Sequence, residues 1–132
     1  MTAIALRTDS HPETPSALAW IEVCTMRELP AERGVAALVL GEQLALIRTH
    51  DDAVYAVQQR DPYSGAMVLS RGLVGTRGER AILVSPMYKQ VFALDTGECL
   101  DALGKEPISL RTWPVRLADG RVSVGLTADE AA

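Results

Sequence analysis

Two stretches, Gln59–Gly72 (QRDPYSGAMVLSRG) and Ser85–Leu94 (SPMYKQVFAL), have the punctuation of a pair of metal-binding loops. Each turns at a proline, Pro62 or Pro86, and is entered from one apolar run and left toward another. A soft metal held between such loops needs thiolate or imidazole ligands, and neither stretch contains a cysteine or a histidine. The two cysteines, Cys24 and Cys99, and the two histidines, His11 and His50, lie outside both. One possible pair makes a poor disulfide framework, so the cysteines are expected as reduced, partly buried thiols. A cysteine nucleophile would need a base beside it. His11 falls in a polar stretch read as a tail and His50 in a turn, so no catalytic residue is predicted.

The elements that must hold these loops read as short strands separated by turns. Residues 17–23 (ALAWIEV) form the first strand, and Thr25 with Glu28 has the spacing of a capping box, which predicts one helical turn. A hairpin is expected at 35–40 and 43–48 around Gly41-Glu42, followed by strands over 53–58, 80–85 and 90–94. Asp95-Thr96-Gly97 reads as a turn. The strongest hairpin signal is Asp119-Gly120 between 113–118 and 121–126, with Pro114 suited to an edge or a strand start. Long helical periodicity is absent, and short strands with regular turn signals predict an all-β barrel or sandwich. Residues 1–16 and 127–132 read as flexible tails around one body, 17–126.

The chain of 132 residues is 48% apolar, enough for a single core, but only 5% aromatic, so that core must rest on Val, Leu, Ala and Ile. A net charge of −4 argues against a general nucleic-acid binder. No apolar run approaches the roughly 20 residues of a membrane span, and the first residues lack the pattern of a signal peptide; a cytoplasmic protein is expected. Residues 71–80 (RGLVGTRGER) hold three glycines but no lysine at Walker spacing, and read as a long surface loop. Between Arg60 and Lys89 five basic residues (Arg60, Arg71, Arg77, Arg80, Lys89) face two acidic ones (Asp61, Glu79), a net +3 inside an acidic chain. Such a window is either an ordinary solvated surface or a docking face for a partner.

The order of pieces resembles the Rieske-type iron–sulfur domain: a hairpin, a strand ending in VYAVQQRDPYSGA, an interval, SPMYKQVFALDTGECL, then WPVRLADGRVSVGL. Domains of that family hold a two-iron cluster between Cys-x-His and Cys-x-x-His loops. Aligned by the prolines, Asp61 and Tyr63 fall at the first ligand pair and Ser85 and Tyr88 at the second, with Lys89 where a glycine is common. All four positions offer hard oxygen only. The resemblance therefore implies a Rieske-like all-β fold of small antiparallel sheets with a loop lobe at about 58–90, and no cluster held by the family's means. A hard ion such as Mg²⁺ or Ca²⁺ is poorly served by two tyrosines and one carboxylate. The expected substitute for metal bonds is turn hydrogen bonding by Asp61 and Ser85, with the tyrosines filling the vacated space.

A narrower pattern, D-P-[FY]-S-x-A…S-R-G…S-P-x-x-K-Q-x-F…T-G-x-C-L, is similar to the small subunits of the assimilatory NAD(P)H-dependent nitrite reductases, over about residues 18–126. That resemblance implies an accessory, non-catalytic subunit without a cofactor of its own. Its partner would be a large catalytic subunit carrying FAD, sirohaem and an iron–sulfur cluster, and reducing nitrite to ammonia. Neither nucleic acid nor a membrane is implied. Two alternatives stand beside it: a freestanding Rieske-like binding or scaffold module, and a ferredoxin-type carrier with a non-standard cluster site.

Overall fold

A computed structural model describes residues 18–127. The tails expected at 1–16 and 127–132 lie, apart from Thr127, outside the described residues. Among those residues the regular structure is β, in antiparallel sheets, with two 3-10 turns at Met26–Glu28 and Leu69–Arg71. The strands are β1 (Ala19–Thr25), β2 (Arg33–Val39), β3 (Glu42–Arg48), β4 (Val54–Gln58), β5 (Leu73–Arg77), β6 (Arg80–Val84), β7 (Val91–Ala93), β8 (Cys99–Asp101), β9 (Thr112–Trp113), β10 (Val115–Ala118) and β11 (Arg121–Leu126). The chain divides into two compact units, one from the two ends of the chain and one from residues 29–112.

The terminal unit is a three-stranded sheet in the order β1-β11-β10. Its hairpin closes at Asp119-Gly120, with φ of 54° and 76°, the pair of positive values a tight primed turn requires. Alternation follows from the two-residue period: Val115 and Leu117 on β10, and Val122 and Val124 on β11, are buried. The expected capping interaction is half formed. Thr25 N–H donates to Glu28 Oε1 at 2.8 Å, which ends β1 in the 3-10 turn. Arg116 lies over the Trp20 ring, 4.1 Å from its centroid.

Two further sheets have the orders β2-β3-β4-β9 and β5-β6-β7-β8, and apart from Trp113 of β9 their strands belong to the central unit. In β3 the run Leu44–Ile47 is buried without alternation, as expected of a strand covered on both faces. The β2–β3 turn falls on Leu40-Gly41 (φ 50° and 84°), one residue before the position read from sequence, because pairing of Val39 with Glu42 continues to the turn itself. The core includes Ala45, Ile47, Val57, Leu83, Leu94 and Phe92. Burying Phe92 contributes about 1.5–3 kcal/mol.

Residues 71–80 are not the long loop expected. Leu73–Arg77 form β5 and pair with β6 from Leu73↔Val84 to Arg77↔Arg80, around a turn at Gly78 with φ of 66°. The glycine-rich stretch is an edge hairpin whose β5 side chains are mostly solvent-facing, so it carries no apolar alternation.

Candidate functional site

The first loop leaves β4 at Gln59. Pro62 fixes its own φ and directs the preceding Asp61 toward extended conformations, and Asp61 then organises the turn. Its N–H donates to Ala66 O (2.8 Å), its carbonyl accepts from Gly65 N–H (2.8 Å), and its Oδ1 accepts from the N–H groups of Tyr63 (2.8 Å) and Ser64 (3.3 Å). Gln59, also buried, ties the far side of the loop. Its Nε2 donates to Ser70 Oγ (2.9 Å) and its Oε1 accepts from Ser70 N–H (2.7 Å). Gln59 carried no signal in the sequence, since an amide at a strand end is usually exposed.

The second loop joins β6 to β7. Ser85 N–H donates to Gln90 O (2.9 Å), and Lys89 N–H to Ser85 O (3.2 Å). Met87 N–H donates to Ser85 Oγ (3.2 Å). The Ser85 hydroxyl proton goes to Asp61 Oδ2, so the two loops are joined side chain to side chain. Asp61 and Ser85 are both 0% exposed. The buried carboxylate is satisfied by two backbone donors and one hydroxyl, without an ion-pair partner among the described residues.

Tyr63 is committed to structure. Its hydroxyl donates to Glu106 O (2.7 Å), accepts from Ile108 N–H (2.8 Å) and lies 3.5 Å from Cys99 Sγ. Its ring tilts against Phe92, with centroids 6.4 Å apart. Burial, followed by the contact with Cys99, raises its phenol above the ordinary value. Tyr88 departs from expectation: it is 50% exposed and fills no interior space. The loop residues behind it already satisfy one another, and Met87 beside it is exposed as well.

These donors do not fit a [2Fe-2S] cluster. Asp61, Ser85 and Tyr63 spend their oxygens on hydrogen bonds, and none is the thiolate or imidazole such a cluster takes. Among the described residues no group of three or more His, Cys, Asp or Glu stands together to hold a metal ion. Cys24 and Cys99 are free and partly buried. Burial, then the Glu28 carboxylate, pushes the Cys24 thiol up to about 11, away from nucleophilic use. His50 is exposed in its turn, and His11 lies outside the described residues.

Of the basic residues singled out, Arg60, Arg71, Arg77 and Lys89 are exposed. Arg80 is not a free cation: it reaches Asp95 (3.4 Å) and Glu98 (3.5 Å) and donates to Thr96 Oγ1 (3.1 Å). Lys89 sits at φ 70°, a conformation that favours glycine.

The chain belongs to the Rieske-like [2Fe-2S] domain family, whose model matches residues 19–125. It is 35% identical to the nitrite reductase (NADH) small subunit of Escherichia coli K12 over 80% of this chain and 95% of that one. A solved structure from Mycobacterium tuberculosis, described as an NADH-dependent nitrite reductase small subunit, shares 45% identity. It superposes with a TM-score of 0.77 over 84% of this chain and 97% of that one. Within the Rieske-like family, the chain is therefore one of the nitrite reductase small subunits. It is also 40% identical, over 87% of its length, to part of the nitrite reductase [NAD(P)H] large subunit of Klebsiella oxytoca, of which it spans 12%. Among the described residues no helix is long and apolar enough to cross a membrane.

Proposed function

We propose that this chain is a cytoplasmic accessory subunit that docks on the large catalytic subunit of an NAD(P)H-dependent nitrite reductase and carries no redox centre itself. The observation that carries the reading is the match to a stretch of the Klebsiella oxytoca large subunit. A domain that occurs as a piece of the large polypeptide in one relative is a natural partner of that polypeptide when it is a separate chain. Electron transfer would then run through FAD, sirohaem and the iron–sulfur cluster of the large subunit.

On this reading Asp61 and Ser85 stand where the family places cysteines, and Tyr63 and Tyr88 where it places histidines. The Asp61–Ser85 hydrogen bond supports it, because the loops meet directly through those two positions. The exposed cations Arg60, Arg71, Arg77 and Lys89 then serve docking, and Arg80 serves its own hairpin.

The test is co-purification with the large subunit from cells grown on nitrate, with nitrite reduction followed with and without this chain. Anaerobically purified chain is expected to be colourless and free of stoichiometric iron and sulfide. Two irons per chain would instead make it a ferredoxin-type carrier. Lys89→Glu and Arg71→Glu should slow association, the more so at low salt, since the Debye length falls from roughly 10 Å at 0.1 M to about 3 Å at 1 M ionic strength. Arg121→Glu, on the terminal hairpin, is the matched control. If it weakens association as much as the loop variants do, the docking face lies elsewhere.

A further inference from the structure

A cavity of ≈ 420 Å³ opens between the start of β2 and the segment 70–74, outside the paired loops. Gly34, Ser70 and Gly72 are among its lining residues. A Cβ on Gly34 would lie 2.4 Å from Ser70 O, and one on Gly72 2.6 Å from Val84 O, so neither position admits a side chain without movement. Ser70 is also held in place. Buried Gln59 grips Ser70 through both its hydroxyl and its N–H, which fixes the 3-10 turn carrying Arg71.

The walls are charged and unpaired. Arg33 and Arg71 both line the cavity and are exposed, and neither guanidinium has a hydrogen-bond or ion-pair partner among the described residues. Glu32 also lines it and leaves a net positive charge there. Leu73, 67% exposed, adds an apolar wall. Two free guanidiniums on one cavity suit a carboxylate, which arginine binds in a planar two-bond geometry.

The sheet topology decides between a free anion and a protein segment. β2 and β5, which both border the cavity, are edge strands of their respective sheets. An edge strand leaves backbone N–H and C=O groups on its open side, which an extended peptide can pair with and a small anion cannot.

We propose that this cavity is the socket for an acidic side chain of the large subunit, presented on an extended segment that lays an apolar residue against Leu73. The socket rests on the accessory-subunit reading, and it adds Arg33, which lies outside the basic window, to the docking surface. Glu32 tunes it by repelling the incoming carboxylate.

The test is titration of the purified large subunit with full-length chain: wild type, Arg33→Gln, Arg71→Gln, the double variant, Glu32→Gln and the control Arg121→Gln. Each single arginine change should weaken binding about tenfold and the double about 100-fold, as loss of a charge-assisted pair implies. Glu32→Gln should tighten it a few-fold, an opposite sign that general loosening of the fold would not give. Melting temperatures should stay near wild type, because the altered side chains are exposed. If wild type binds and the double variant binds within about twofold of it, the socket is overturned while the accessory-subunit reading stands. If wild type does not bind, both fall. If acetate or inorganic phosphate stabilises wild type but not the double variant, with binding to the large subunit unaltered in both, the cavity is a small-anion site and the socket is again overturned.

Discussion

Asp61 and Ser85, 24 residues apart in sequence, share a hydrogen bond between two fully buried side chains, and through it the β4-side loop is fastened to the β6–β7 loop. One carboxylate thereby serves two purposes. Oδ1 shapes its own turn and Oδ2 holds the other loop.

Removing that carboxylate should therefore cost more than losing an ordinary turn cap. Asp61→Ala leaves the N–H groups of Tyr63 and Ser64 and the Ser85 hydroxyl without their acceptor, and is expected to destabilise by about 2–4 kcal/mol, from the loss of hydrogen bonds to a buried charged group. Asp61→Asn keeps an acceptor at Oδ1 and should lose about half of that. Urea unfolding of the three proteins measures the order. Equal losses in both variants would mean that the negative charge matters, and not the hydrogen bonds.

Tyr63→Phe keeps the ring against Phe92 and deletes the hydroxyl that bridges Glu106 O and Ile108 N–H. The expected loss is about 1–2 kcal/mol, with faster hydrogen exchange at Ile108. Alkaline pH gives a second readout. Because the folded phenol titrates above its unfolded value, its share of stability is intact below about pH 10 and is lost as pH rises through the folded pKa. Tyr55 is raised as well, mainly by burial, so Tyr63→Phe should flatten only part of the alkaline decline. A decline identical to that of wild type would refute the assignment.

On the proposed docking role, Lys89 should separate stability from association. At φ 70° a glycine relieves backbone strain, so Lys89→Gly should raise stability by about 0.5–1 kcal/mol net of glycine's greater unfolded freedom. The same change removes an exposed cation and should weaken association with the large subunit. Thermal melts and binding kinetics on one variant test both signs, and parallel changes would contradict the reading.

Cys24 should be a sluggish thiol. With its pKa raised to about 11, chiefly by burial and then by Glu28, its thiolate fraction at about pH 8 is roughly 100-fold below that of an unperturbed cysteine. Iodoacetamide labelling followed by peptide mapping gives the rate. Glu28→Gln should speed it only in part, since the larger cause remains. The linked stability is present below the unfolded value of 9.0 and is lost as pH rises through about 11.

Local chemistry was legible in the sequence where one short stretch decides the conformation. Asp119-Gly120 sets its hairpin, Asp-Pro sets the first loop, and Thr25 with Glu28 sets the end of β1. The alternating and continuous apolar runs of β3, β4 and β11 gave the all-β architecture. What stayed hidden depends on distant residues. β5 exposes nearly every side chain and is defined by pairing with β6, and β8 is too short to show a period. The Ser85 contact with Asp61, the Gln59 grip on Ser70 and the anchoring of Tyr63 on residues 106–108 link positions that no local pattern connects. Sequence position treats Tyr88 and Tyr63 alike, but of the two it is the Tyr63 hydroxyl that bonds to backbone, at Glu106 O and Ile108 N–H.

The Asp61–Ser85 joint also changes what the cell must supply. Loops closed by an inserted cofactor are finished only after folding, by machinery that delivers iron and sulfur, and an oxidant can undo them. Loops closed by a carboxylate and a hydroxyl of the same chain are complete when the chain folds. Folding of this chain should then not depend on iron supply, and chain purified from iron-starved and iron-replete cells should melt at the same temperature.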